Sequence, residues 1–176
     1  DYDEKVEARL LVGDVLRAKL GIDLSVFLDG ALDTELTYTT YHDGTADAKV
    51  KAQLKPARFF VDPFDYEKPV GESGEVALTA LFKDGEIQKV VDLKAKAPDF
   101  TLKEGEIFFV KLPAERDGED GEIVLKSGNA PEFTIGKTKS SIIFAYDEER
   151  AVDISLDAQM LDAQPFMDRD SEKGAE

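Results

Sequence analysis

The stretch whose reading decides the fold is VEARLLVGDVLRAKLGIDLSVFL, residues 6–28. Every second residue gives Val6, Ala8, Leu10, Val12, Asp14, Leu16, Ala18, Leu20, Ile22, Leu24, Val26 and Leu28, and all but Asp14 are apolar. The residues between them are mostly Lys, Glu, Arg, Gly, Asp and Ser. Alternation with a period of two belongs to a strand with one face buried. Helix formers are plentiful from Glu4 to Leu20, but helical spacing would scatter Val6, Leu10, Leu11, Val12, Val15 and Leu16 around the cylinder. The stretch therefore reads as a strand, with a helix over Lys5–Val12 as the alternative, and as a long one, since ordinary strands run about 5–6 residues.

Gly13-Asp14 interrupts it. A two-residue hairpin there would set Leu10 opposite Arg17 and Ala8 opposite Lys19, an apolar stripe against a charged one. The apolar phase carries through instead, which points to a bulge that keeps register or to an arm that leaves the domain at this point. In the second case Val6, Ala8, Leu10 and Val12 form a subunit interface, because an extended, alternating segment adds readily to a neighbour's open sheet edge. The competing reading is an ordinary long strand of the domain's own sheet.

Working outward, Asp29-Gly30 marks a turn, and Leu36–Thr40 and Val50–Leu54 alternate as a hairpin. Residues 55–74, with Pro56, Pro63, Pro69, Gly71 and Gly74, read as a short strand at Arg58–Val61 and a loop crossing between sheets. Phe59, Phe60, Phe64 and Tyr66 either pin that loop to the core or form a patch for a partner. Glu75–Phe82 and Ile87–Leu93 make a hairpin around Asp84-Gly85. Short strands follow at Phe100–Leu102, Ile123–Leu125 and Phe133–Ile135, the last two around a Ser127-Gly128-Asn129 turn, and Ile107–Leu112, apolar on both faces, reads as a central strand. Ile142–Tyr146 and Val152–Met160 close the series, the latter alternating as cleanly as the opening.

The expected fold is all-β: an antiparallel β-sandwich, jelly-roll or Ig-like, of about ten strands with a long N-terminal strand or arm. The expected organisation is an arm over residues 1–12 for strand exchange, a β-sandwich domain over 13–161 and a mobile acidic tail over 162–176. The terminal strands are expected to lie near one another, as in many Greek-key sandwiches.

The 176 residues suffice for one domain with a real core, and Lys+Arg 22 against Asp+Glu 38 gives a net charge of −16. Such a surface repels nucleic acid and anionic lipid, and it attracts divalent cations. There is no cysteine, hence no disulfide framework and no thiolate chemistry. No apolar run is long enough to insert in a membrane. The start at Asp1 rather than Met fits a processed secreted or virion protein, or a trimmed piece. Asn129 is the one asparagine, and with few methionines and many Lys and Glu this suits life at high temperature or a long life outside a cell.

Catalysis is poorly supplied. The lone histidine, His42, sits at a hairpin turn beside Asp43, and Glu72-Ser73-Gly74-Glu75 lacks the second glycine of a nucleophile elbow. With no Trp and thirty-eight acidic residues, a glycosidase carboxylate pair carries no signal. Asp117, Glu119, Asp120 and Glu122, spaced by glycines, are the metal candidates, and Ca²⁺ is the cation such oxygens would take. A solvated acidic loop is the alternative. Asp62, Asp65 and Glu67 form a weaker cluster, and Asp168-x-Asp170-x-Glu172 misses the EF-hand glycine position.

These observations favour a non-enzymatic structural subunit of an extracellular, cell-surface or virion assembly. It would be a homo-oligomer or homopolymer (filament, tube or layer) joined pilus-fashion by a donor strand at Val6–Val12, with Ca²⁺ assisting. The alternative is a monomeric secreted β-sandwich that binds a ligand or adheres through its loops.

Overall fold

The protein is seen in a computed structural model, which describes residues 2–19, 25, 27–112, 123–146 and 152–164. It is all-β. Strands β1 (Glu4–Val12), β2 (Leu28–Gly30), β3 (Leu32–Thr40), β4 (Thr45–Gln53), β5 (Ala57–Val61) and β6 (Tyr66–Lys68) make up the first half, with helix α1 (Asp14–Lys19) after β1 and a 3₁₀ turn (Asp62–Phe64) after β5. Strands β7 (Glu75–Lys83), β8 (Glu86–Ala97), β9 (Phe100–Lys111), β10 (Ile123–Ile135), β11 (Thr138–Tyr146) and β12 (Val152–Met160) make up the second. Nine strands form one sheet in the order β1-β3-β4-β7-β8-β9-β10-β11-β12, and β2-β5-β6 form a small second sheet. Every described pairing is antiparallel.

The opening stretch divides where glycine breaks it. β1 ends at Val12, and the Gly13 carbonyl accepts from the Leu16 and Arg17 amides at 3.1 and 3.0 Å, starting α1. The expected continuation of the strand past Gly13 is therefore corrected. Asp14-Val-Leu-Arg-Ala-Lys has the propensity for a helical turn, and Arg17 fastens it. That side chain is 5% exposed, donates to the Val12 and Gly30 carbonyls at 3.1 and 2.8 Å, and pairs with Asp14. Asp29-Gly30 lies in β2 and pairs with β5 rather than turning the chain.

Two further expectations change. Residues 100–111 are one strand, and so are residues 123–135. Irregularities between Leu125 and Ser127 and between Asn129 and Phe133 let β10 run on where Gly128 suggested a turn. The strand order also differs from a jelly-roll or Ig-like one, because the large sheet is a meander in which no strand returns beside an earlier one. The two cleanly alternating terminal strands, β1 and β12, lie at opposite edges of it.

One face of the meander is largely apolar across its full width. Residues directly opposite one another run from Val6 through Tyr38, Ala48, Ala80, Val90, Ile107, Gly128 and Phe144 to Ile154. A second row runs from Leu10 through Thr34, Ala52, Val76, Ala95, Leu102, Phe133 and Ser140 to Ala158. The small sheet and its 3₁₀ turn cover this second end. Phe59 meets Phe100 edge-on at 5.0 Å and Phe64 meets Phe133 at 5.8 Å, in a cluster that includes Ile135, Ala95 and Leu102. The cluster at the other end, around Ala48, Ala80 and Val90, draws all its members from the large sheet, with Tyr38, Phe82, Ile107 and Phe109 only partly buried.

Two residues set close contacts, one within the small sheet and one within the large. Lys68, 1% exposed, donates from Nζ to the carbonyls of Ala57, Pro69 and Glu72 at 2.8, 2.8 and 3.1 Å, which binds β5, β6 and the following loop together. Burial lowers its pKa below the usual lysine value. Gly128 has no room for a side chain, since a Cβ there would lie 2.6 Å from the Phe144 ring and 2.9 Å from the Glu106 carbonyl oxygen. The ring of Phe144 caps the glycine across the strands.

Lys68→Met keeps the volume but leaves three carbonyls without their donor, and should cost about 2–3 kcal/mol in urea unfolding. Gly128→Ala should cost roughly 1–3 kcal/mol by the same measurement, because the backbone oxygen cannot yield as the ring can.

Candidate functional site

β1 is the first edge of the large sheet. Its nine residues pair with β3, setting Val6 opposite Tyr38, Ala8 opposite Leu36, Leu10 opposite Thr34 and Val12 opposite Leu32. The expected interface residues thus share the apolar face and sit in the domain's own sheet. β1 has a strand on one side only among the described residues, so its other side presents unpaired backbone groups. Val6 is 45% exposed, and Ala8, Leu10 and Val12 are half-buried.

The opposite face of β1 is charged. Arg9 grips Asp33 of β3 with two bonds, Nε–Oδ1 at 3.1 Å and Nη2–Oδ2 at 2.8 Å, and approaches Glu35 at 3.8 Å. The guanidinium holds the Asp33 carboxyl below the usual carboxylate range, mainly by hydrogen bonding. Lys5 pairs with Glu7 along the strand at 2.6 Å. His42 is exposed at its turn and pairs with Asp3, tying the start of β1 to the β3–β4 hairpin.

β12 is the second edge of the large sheet, a position that sequence alone does not single out. Ile154 is 61% exposed, Leu156 39% and Met160 61%. Its charged residues, Asp153 and Asp157, are both acidic, and both face away from the apolar rows. The alternation of Val152–Met160 marks a strand with one apolar face, and the strand order makes it an edge, since the first and last strands of a meander are edges by construction.

The metal candidates Asp117, Glu119, Asp120 and Glu122 lie outside the described residues, as do Asp168, Asp170 and Glu172. Among the described residues no group of three or more His, Asp or Glu is arranged to hold a metal ion. Asp62, Asp65 and Glu67 are not gathered into one. Asp65 takes φ 48° as it ends the 3₁₀ turn, and Glu67 bonds Arg58 at 2.6 Å, which holds its carboxyl low. The aromatics of this segment act as anchors. Phe59, Phe64 and Tyr66 pack on Phe100 and Phe133, and Phe60 lies under the Arg58 guanidinium at 4.9 Å.

A half-open cavity of about 420 Å³ lies beside that anchor, between Phe64–Glu72, Pro98-Asp99 and the β10–β11 turn. Asp65, Glu67, Glu72, Asp99 and Asp162 line it against a single cation, Lys137. Tyr66 donates to the Pro98 carbonyl at 2.6 Å there, and burial pushes its phenol up to about 12. Elsewhere, Asp47 is buried on the polar face of the sheet. Its Oδ2 accepts from the Tyr41 hydroxyl at 2.5 Å, and its Oδ1 has no hydrogen-bond partner among the described groups. No described helix is long and apolar enough to cross a membrane.

No protein-family model, no curated protein and no solved structure matches this chain.

Because the Asp33 pKa is depressed by Arg9, their bond is complete at neutral pH and is lost only as pH falls through the lowered value, below the ordinary 3.8. Arg9→Gln should move the Asp33 carboxyl titration upward, read by carbon NMR, and should remove the part of the β1–β3 attachment that depends on Asp33 being ionised.

Proposed function

We propose that the protein is a non-enzymatic structural subunit of an extracellular or virion assembly, a filament, tube or layer whose copies join by β-strand addition at the β1 edge. The observation that carries this reading is a nine-residue edge strand with half-exposed apolar side chains, unpaired along one side among the described residues. An edge of that length and composition is what soluble monomers normally blunt with proline, bulges or very short strands. β1 has an unbroken register with β3 and contains no proline. Backbone hydrogen bonds along the open side would supply affinity, and Val6 and its neighbours would supply apolar contact.

The acidic composition supports an exposed, abundant protein, and residues 117–122 would be the place where Ca²⁺ assists assembly. The two-layered end, where β2-β5-β6 packs on the meander, supports the β-sandwich description of the domain.

One observation favours a second reading. The acid-lined cavity beside Tyr66 is of a size for a small ligand, which fits a monomeric secreted binding or adhesion module.

Sedimentation and negative-stain electron microscopy, with Ca²⁺ and with chelator, separate the two. The assembly reading expects regular polymers, lost on removal of residues 1–12 and on Val6→Lys. The exposed position of Val6 should keep the stability change of Val6→Lys to about 0.5 kcal/mol. Uniform small particles at all concentrations, with and without Ca²⁺, would leave the binding module as the better reading.

A further inference from the structure

We propose that the edge receiving β1 is β12 of a second copy, aligned parallel and head to tail, with Lys5 beside Asp153 and Arg9 beside Asp157. This rests on the reading that copies join through β1, and it names the partner surface.

Register carries the argument. Val6 and Ile154 are the two ends of one unbroken row across the sheet, and Leu10 and Ala158 are the two ends of another. The rows are four residues apart on β1 and four residues apart on β12, so the two edges match in direction and spacing. A copy laid edge to edge in that frame continues both apolar rows, Val6 next to Ile154 and Leu10 next to Ala158. Because alternate residues face alternate sides, the same frame places Lys5 by Asp153, Glu7 by Ser155 and Arg9 by Asp157 on the other face. Lys5 and Asp153 are likewise the two ends of an unbroken row.

Charge then selects among partners. β12 carries Asp153 and Asp157 and no basic residue, whereas β1 carries Lys5 and Arg9 on the matching side. Two copies of β12 paired about a two-fold axis at Ser155 would oppose Asp153 with Asp157, and like charges directly opposite destabilise a strand pair. Two copies of β1 paired about Glu7 would oppose Lys5 with Arg9. A β1–β1 pair centred on Ala8 escapes that clash and is the competitor to be distinguished. Arg9 is 67% exposed and Lys5 41%, so both remain reachable although each already has a partner within the copy.

A head-to-tail contact uses two different surfaces, so it does not close on itself as a two-fold dimer does. The chain has no cysteine, which makes site-specific cross-linking direct. Val6→Cys and Ile154→Cys are made singly and together, and each protein is treated with a short bismaleimide under assembly conditions. The proposal expects a ladder of trimers and longer species from the double variant and monomer from each single variant. Dimer from Val6→Cys alone would show β1–β1 pairing and overturn this proposal while leaving the β1 assembly reading intact. A cross-linked monomer from the double variant would show closure within one chain and overturn it as well. A wild-type protein that never assembles would remove both readings.

Charge reversal is the second arm. Asp153→Lys with Asp157→Lys should raise the concentration needed for assembly at least tenfold, with the circular-dichroism spectrum unchanged. Mixing that protein with one carrying Lys5→Glu and Arg9→Glu should restore assembly. Failure of the mixture to assemble, with both proteins folded, would overturn the proposal.

Discussion

An antiparallel sheet that does not close must end twice, and at each end a row of backbone N–H and C=O groups lacks a neighbour. In this protein the ends are β1 and β12. Central strands such as β7 and β8 satisfy their backbones on both sides and can devote their side chains to one apolar face. The edges satisfy theirs on one side and keep the same alternation. The rest of the architecture follows from a sheet of this width with one apolar face and one small covering layer. The anchoring aromatics, the buried lysine and the glycine under a phenyl ring all sit where the covering layer or an inner strand requires close approach.

The covering layer is unevenly placed, and its energetics explain why. β2, β5 and β6 are three to five residues long and could not persist alone. They stand because Phe59, Phe64 and Tyr66 pack against Phe100, Phe133 and Ile135, and because Lys68 gathers one carbonyl of β5 and two of the loop after β6. A buried ammonium is costly unless its donors are satisfied, and here all three point at backbone oxygens. Toward Tyr38, Phe82 and Ile107 the apolar face relies on side chains of its own sheet. The domain is thus firm and two-layered at one end and single-layered at the other among the described residues.

Much of this was legible in the period-two alternation. Hairpins β3–β4, β7–β8 and β11–β12 follow from the residues that alternate and the turns between them. What was not legible has local causes. Alternation continues through Gly13 into Leu16 and Ala18, yet the good helix formers from Leu16 to Lys19, an acidic Asp14 in the first turn and a well-placed Arg17 suffice for a helical turn. Gly128 is a turn residue by composition, but it is a close-approach residue by position, a distinction that depends on Phe144 sixteen residues later. In β8 the buried residue is Val90 rather than its neighbours, because Asp92 at φ 53° and a shift near Phe82 change the phase. Of the candidate site, the apolar β1 residues could be read directly. β12 could not, because edge status is a property of strand order, and strand order is not written in any single strand.

Strand order also decides what a polymer of this chain would look like. Adjacent strands in a sheet rotate by roughly 20–25° with a fixed hand, so nine strands accumulate on the order of half a turn. A second copy continuing the sheet from β12 would therefore present its apolar face on nearly the opposite side of the fibre from the first. Single-layered faces would alternate rather than line up into one continuous apolar stripe. With a net charge of −16 per copy, neighbouring bodies repel over the Debye length of about 8 Å at physiological salt, whereas pairs such as Lys5 with Asp153 act at contact. Salt weakens the first effect more than the second. An acidic subunit can then remain dispersed when dilute in low salt and still match copy to copy along one specified pair of edges.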